Sequence, residues 1–122
     1  MTFLTLAAAF AVIAALHLGP VQSHRATVYS GTCDGQGVVM ADGTRIDGAG
    51  NLWHNGRRVS DDALASSFLA LGTRVRFTRR VFGSRDWTVR DSGGAFDLYR
   101  PSCNWTGWPG LSNPTLTFRV SR

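Results

Sequence analysis

From Ala26 to the end of the chain, apolar and polar residues alternate in short runs broken by glycine-bearing turns. This pattern confines the chain to short, tightly turning β structure. The clearest run is Thr73 to Val81, where Val75 and Phe77 face one way and Arg74, Arg76 and Thr78 the other. Trp87 and Val89 alternate with Thr88 and Arg90, Phe96 and Leu98 flank an outward Asp97, and Leu116, Phe118 and Val120 form a last strand. Ala26 to Tyr29 opens the series, and Val38 to Met40 leads through the Asp42-Gly43 turn into Thr44-Arg45-Ile46. Only Asp61 to Leu71 carries a helical period, so one short helix is expected there, with Asp61 and Asp62 at its positive end and Gly72 closing it. The polar stretch from Asp47 to Arg58, with Trp53 and His54 inside it, reads as an exposed connection. The sum is a mostly β fold: a small six-stranded barrel with one short helix, closed by pairing its last strand with an early one.

With 122 residues, 43% of them hydrophobic, the chain holds one small domain, which excludes a multidomain enzyme. The first 24 residues carry no Asp, Glu, Lys or Arg, and Phe3 to Leu18 is almost wholly apolar. That run is short for a membrane span and reads as a signal peptide over residues 1–23, ending at Val21-Gln22-Ser23. An uncleaved anchor and a buried N-terminal helix are the other readings of the same segment. Residues 24–122 then form a domain placed in the periplasm or outside the cell. Cys33 and Cys103 lie near its two ends, where a disulfide would close a long loop in an oxidising compartment; two free buried thiols are the alternative. The formal net charge of +5 comes from thirteen basic residues, all arginine, against eight acidic ones, all aspartate. That uniformity looks like a coding bias rather than a design for one partner.

Asp91 and Asp97 are the most informative carboxylates, because a Gly93-Gly94 turn between them can bring both to one cleft. Two carboxylates in a shared low-dielectric site push their proton affinities apart, which suits general acid chemistry. The plainer alternative has Asp91 capping the turn and Asp97 pairing with Arg90 or Arg100. Asp42 and Asp47 suit turns, and His54 suits a solvated loop. Arginines with Trp53, Trp87, Trp105 and Trp108 can hold an anionic glycan against indole faces, with Trp53, Arg90 and Trp105 the chosen contacts. The same composition can bind single-stranded nucleic acid, but export favours the glycan and no nucleic-acid partner is expected. The sequence has no phosphate-binding glycine loop, HExxH, GxSxG or paired CxxC, so no cofactor and no metal are expected.

In order along the chain, several segments resemble the 3D domain, named for three aspartates, of MltA-type membrane-bound lytic transglycosylases and of cell-wall proteins related to resuscitation factors. Ala26 to Cys33 is similar to the family's first strand and turn, Val39 to Thr44 to its next segment, and Leu69 to Val75 to its Pro-Leu-Gly-Thr stretch, with Ala70 replacing proline. Arg90 to Tyr99 resembles the Asp-Thr-Gly-Gly-Ala segment followed by Asp-hydrophobic-Tyr, with a shortened spacer. The resemblance implies a double-psi β barrel related to RlpA and the expansins. It implies a lytic transglycosylase acting on peptidoglycan, with Asp91 and Asp97 as the second and third aspartates and Asp97 as acid and base. Ala65 stands where the first aspartate would be. A non-catalytic barrel that binds cell-wall glycan, as an envelope or phage-particle component, is the rival expectation.

Overall fold

A computed structural model of the chain describes residues 18–29, 39–101 and 113–121. The described residues form strands without a helix. In chain order these are β1 (Gln22–Arg25), β2 (Thr27–Tyr29), β3 (Arg45–Ile46), β4 (Leu52–His54), β5 (Arg57–Arg58), β6 (Asp62–Ser66), β7 (Arg74–Val81), β8 (Ser84–Asp91), β9 (Phe96–Tyr99) and β10 (Thr115–Ser121). Seven of them hydrogen-bond in one sheet, ordered β1-β10-β7-β8-β6-β9-β2, and β3-β4-β5 form a second. The expected count of six strands is therefore corrected. Its two end strands, β1 and β2, are consecutive in the chain and separated only by Ala26, so the sheet curls into a nearly closed barrel. The expected pairing of the last strand with an early one is present as β10 against β1. The processing boundary read after Ser23 falls within β1, where Ser23 lies opposite Thr117.

The expected helix is a strand. β6 runs between β8, to which it is parallel, and β9, to which it is antiparallel. Leu64 packs into the barrel core, while Ala63 and Ala65 pack on the opposite face under the second sheet. A strand covered on both faces has a continuous apolar run instead of an alternating one, and here Ala63-Leu64-Ala65 followed by Phe68 imitates helical spacing. Asp61 and Asp62 accordingly cap no helix; burial pushes the Asp62 carboxyl above its usual value. The connection expected over 47–58 is exposed along much of its length, but it is a hairpin that puts Leu52 into a core cluster. It folds as β4 and β5 around Asn55-Gly56, both with positive φ (51° and 76°), a two-residue hairpin turn whose twist matches its strands.

The barrel interior holds the aromatic core. Phe77, Trp87, Phe96 and Phe118 are all at most 2% exposed, and the Phe77 ring meets each of the other three edge-on. A second apolar cluster lies outside the barrel wall. Tyr29, Ala63, Ala65 and Tyr99 of the wall pack there with Met40, Ile46 and Leu52 of the covering segment. This outer layer brings the aspartates singled out above into contact with the rest of the molecule.

Candidate active site

Ala65 and the two aspartates that flank the Gly93-Gly94 turn fall in one row across neighbouring strands. Ala65 of β6 lies opposite Asp91 of β8 on one side and opposite Asp97 of β9 on the other. The row continues to Thr27 of β2, which lies opposite Asp97. With strands roughly 4.8 Å apart, the two aspartate backbones are about 10 Å apart across Ala65. Alternation alone would turn Asp91 inward with Trp87 and Val89. A register shift prevents this: Leu64 pairs with Val89, but Ala65 pairs with Asp91, so Arg90 is the extra residue. Such a bulge re-aims the side chain that follows it, and Asp91 emerges on the same outer face as Asp97.

Each carboxylate is held by named donors. Asp91 Oδ1 accepts from the backbone amides of Ala41 (3.0 Å) and Ser92 (2.9 Å), and its Oδ2 from the Tyr29 hydroxyl (3.2 Å). Burial, then the charge of Asp91 and its hydrogen bond, with Asp97 adding to them, push the Tyr29 hydroxyl far above the ordinary phenol range. Tyr29 therefore stays a protonated donor at any working pH. Asp97 Oδ1 accepts from Thr27 Oγ1 at 2.9 Å, and both carboxylates are half-buried. Gly94 sits beside Asp97 with φ of +65°, and a Cβ there would come within 3.3 Å of the Asp97 Cβ. The Gly-Gly turn thus supplies a backbone shape that side chains resist and keeps the approach to Asp97 clear.

The other expected contacts are placed elsewhere. Arg90 turns to Asp42 and Asp61, 3.2 Å from each, and its side chain is only 16% exposed. Thr88 Oγ1 also donates to Asp61, so this charged group ties the segment before β3 and the start of β6 to β8. His54 Nδ1 lies 3.0 Å from Thr44 Oγ1 and 3.7 Å from Asp42 Oδ2. Both contacts use the same ring nitrogen, so the three residues form no proton relay from hydroxyl through imidazole to carboxylate. Trp53 is exposed on β4, on the sheet that covers the second cluster, between Arg45 and Arg58 in register. Trp105, Cys33 and Cys103 lie outside the described residues. Among the described residues no group of three or more His, Cys, Asp or Glu side chains is gathered to hold a metal ion.

No family model, curated protein or solved structure matches this chain. The site therefore rests on its own geometry. Sequence reasoning did not single out Thr27 and Tyr29 as part of it. Their signal was the i, i+2 spacing on β2, which puts both polar groups on one face, but nothing local shows that this strand lies parallel to β9.

Trp53 has a pH signature. Its indole N–H donates to Asp47 Oδ2 at 2.9 Å, while Asp47 Oδ1 accepts from the amides of Ala49 and Asn51. The indole first, then these amides, hold the Asp47 carboxyl below its usual 3.8. A depressed carboxylate contributes above its unfolded pKa and loses that contribution as pH falls through the folded one. Trp53 fluorescence should therefore hold steady down to the ordinary aspartate range and change only below it. An acid titration of the wild type against Trp53→Phe and Asp47→Asn checks this; a change centred at or above 3.8 contradicts it.

Proposed function

We propose that this protein is a peptidoglycan lytic transglycosylase acting outside the cytoplasm, with Asp97 as the acid and base. The observation that carries the reading is the row Asp91-Ala65-Asp97. The three positions that the resemblance matches to the three aspartates of the 3D domain, with Ala65 well before the other two in the sequence, are adjacent on three strands. Two parallel pairs, β2 with β9 and β6 with β8, within an otherwise antiparallel sheet support the finer assignment of a double-psi barrel.

The reaction needs one carboxyl that gives a proton and takes one back. Asp97 protonates the oxygen of the β-1,4 bond between N-acetylmuramic acid and N-acetylglucosamine as the bond from that oxygen to the anomeric carbon breaks. The resulting carboxylate removes the proton from the muramoyl C6 hydroxyl, whose oxygen closes on the anomeric carbon as the 1,6-anhydro ring. Asp97 ends protonated, no water is consumed, and the protein forms no covalent bond. Thr27 orients the Asp97 carboxyl through its hydroxyl. Asp91, fixed by three donors, supplies a stationary negative charge toward which a developing positive charge on the sugar is stabilised.

A second reading has a specific observation in its favour. Ala65 places a methyl group where the resemblance puts a carboxylate, and Trp53 offers an exposed indole flanked by two arginines. Both suit a barrel that binds cell-wall glycan without cleaving it, as an envelope or phage-particle component. Mass spectrometry of the soluble fraction after incubating the protein with insoluble peptidoglycan separates the two. Anhydro-muropeptides are expected; protein retained on the glycan with no soluble product overturns the enzymatic reading in favour of the second.

A further inference from the structure

A cleft of about 880 Å³ opens between the β4–β5 hairpin and the outer faces of β7 and β8. Its walls carry Arg57 and Arg58 from β5, Arg74 and Arg76 from β7, and Arg90 from β8, against only two carboxylates, Asp61 and Asp86. Arg90 and Asp61 neutralise each other, with Asp42 adding to the pair. Arg76 meets Asp86 only at 3.9 Å, with both side chains more than half exposed, a contact that screening leaves nearly without value. No carboxylate among the described residues lies within 4 Å of the Arg57, Arg58 or Arg74 guanidinium.

The register sharpens the imbalance. Arg119 of β10 lies directly opposite Arg76 of β7. Like charges directly opposite on neighbouring strands are destabilising, and β10 contains no acidic residue to offset them. Arg74 and Arg76, two residues apart on β7, are spaced by roughly 7 Å, and Arg76 and Arg119 by roughly 5 Å. This is a ladder of forked donors, the geometry that matches phosphate oxygens two at a time. Ser60, Ser84 and Thr88 add hydroxyls along the same walls. Among the described residues two rings line the cleft: Trp87, which is 1% exposed, and the His54 imidazole, which is held at Nδ1 by Thr44 Oγ1, so the cleft offers no open Trp, Tyr or Phe face on which a nucleobase can stack.

We propose that this cleft binds a base-free phosphodiester chain, a polymer of sugar or polyol phosphates, through Arg57, Arg58, Arg74 and Arg76. The site is separate from the aspartate row, and its occupancy does not require glycan cleavage.

The test uses the full chain and a fluorescently labelled synthetic oligo(glycerol phosphate), with binding followed by anisotropy as salt is raised. Binding should weaken steeply with salt, because each phosphate neutralised releases counterions. The double variant Arg74→Gln/Arg76→Gln should lose about tenfold or more in affinity, while Arg79→Gln/Arg80→Gln, the same charge change on the same strand outside the cleft, should lose about twofold. Arg57→Gln/Arg58→Gln, on the other sheet, repeats the cleft test independently should the first pair perturb β7. Equal losses from the cleft and control pairs, an oligothymidylate of equal charge binding as tightly, or no binding at low salt would each overturn the proposal. No peptidoglycan is present in the assay, so failure here and failure of the transglycosylase reading are distinguishable.

Discussion

Replacing Ala65 with aspartate will destabilise the folded protein at neutral pH by about 3–5 kcal/mol, the cost of a buried charge without a partner. Ala65 is 3% exposed and lies between Asp91 and Asp97 in register, so the new carboxylate would be desolvated and would face the like charge of Asp91 across the strand. Both effects raise its pKa in the folded state above the unfolded value of about 3.9. An acid whose folded pKa is raised binds more protons in the native state, so the variant loses stability as pH climbs from the unfolded pKa toward the folded one. Below about pH 3.9 both states are protonated and the charge cost disappears. Urea denaturation of Ala65→Asp beside Ala65→Asn separates charge from size, since asparagine fills the same volume without ionising. At neutral pH the gap between the two should be several kcal/mol, and it should close in acid. A gap below about 1 kcal/mol at neutral pH would place position 65 away from the two aspartates. The same geometry explains what alanine contributes here: a small apolar side chain lets Tyr29, Met40 and Tyr99 gather as one buried cluster.

The strands that alternate cleanly were legible because each has one face in the barrel core and one in solvent. Val75 and Phe77 point inward while Arg74 and Arg76 point outward, and Phe96 and Leu98 enter the core while Asp97 leaves it. β6 was misread because no face of it is solvated, and burial on both sides erases the period that marks a strand. The β4–β5 hairpin was missed for a different reason. Its strands are too short to show alternation, and the Asn55-Gly56 pair, a strong local turn signal, was submerged in a stretch whose polarity suggested a loop. For the site, each aspartate could be located, but their relation could not. Asp91 reaches the outer face only through the bulge at Arg90, and its distance from Asp97 is set by β6 lying between β8 and β9. Strand order is a property of the closed sheet, invisible to any window of local sequence.

Replacing Asp97 with asparagine should reduce release of anhydro-muropeptides by about 10²–10⁴-fold, the usual contribution of a positioned acid and base. The substitution preserves shape: the amide oxygen still accepts from the Thr27 hydroxyl, and Gly94 leaves room beside the side chain. It removes the capacity to give a proton to the glycosidic oxygen and take one from the C6 hydroxyl. Tyr29→Phe provides the contrast. It removes one of the three donors to Asp91 but leaves the amides of Ala41 and Ser92 in place, along with the Thr27 hydroxyl on Asp97. Loss of that hydrogen bond costs about 1 kcal/mol of stability. Its rate should then stay within about tenfold of wild type, since an interaction of that size moves a barrier by no more. Rates measured by mass spectrometry, with urea midpoints confirming that both variants are folded, test the distinction between the residue that moves protons and those that hold its neighbour. If Asp97→Asn retains activity within about threefold of wild type, proton transfer does not pass through Asp97 and the mechanism fails at its first step. If Tyr29→Phe is as inactive as Asp97→Asn, the Asp91 charge depends on the phenol as well as the amides, and Tyr29 becomes a positioning residue for the same reaction.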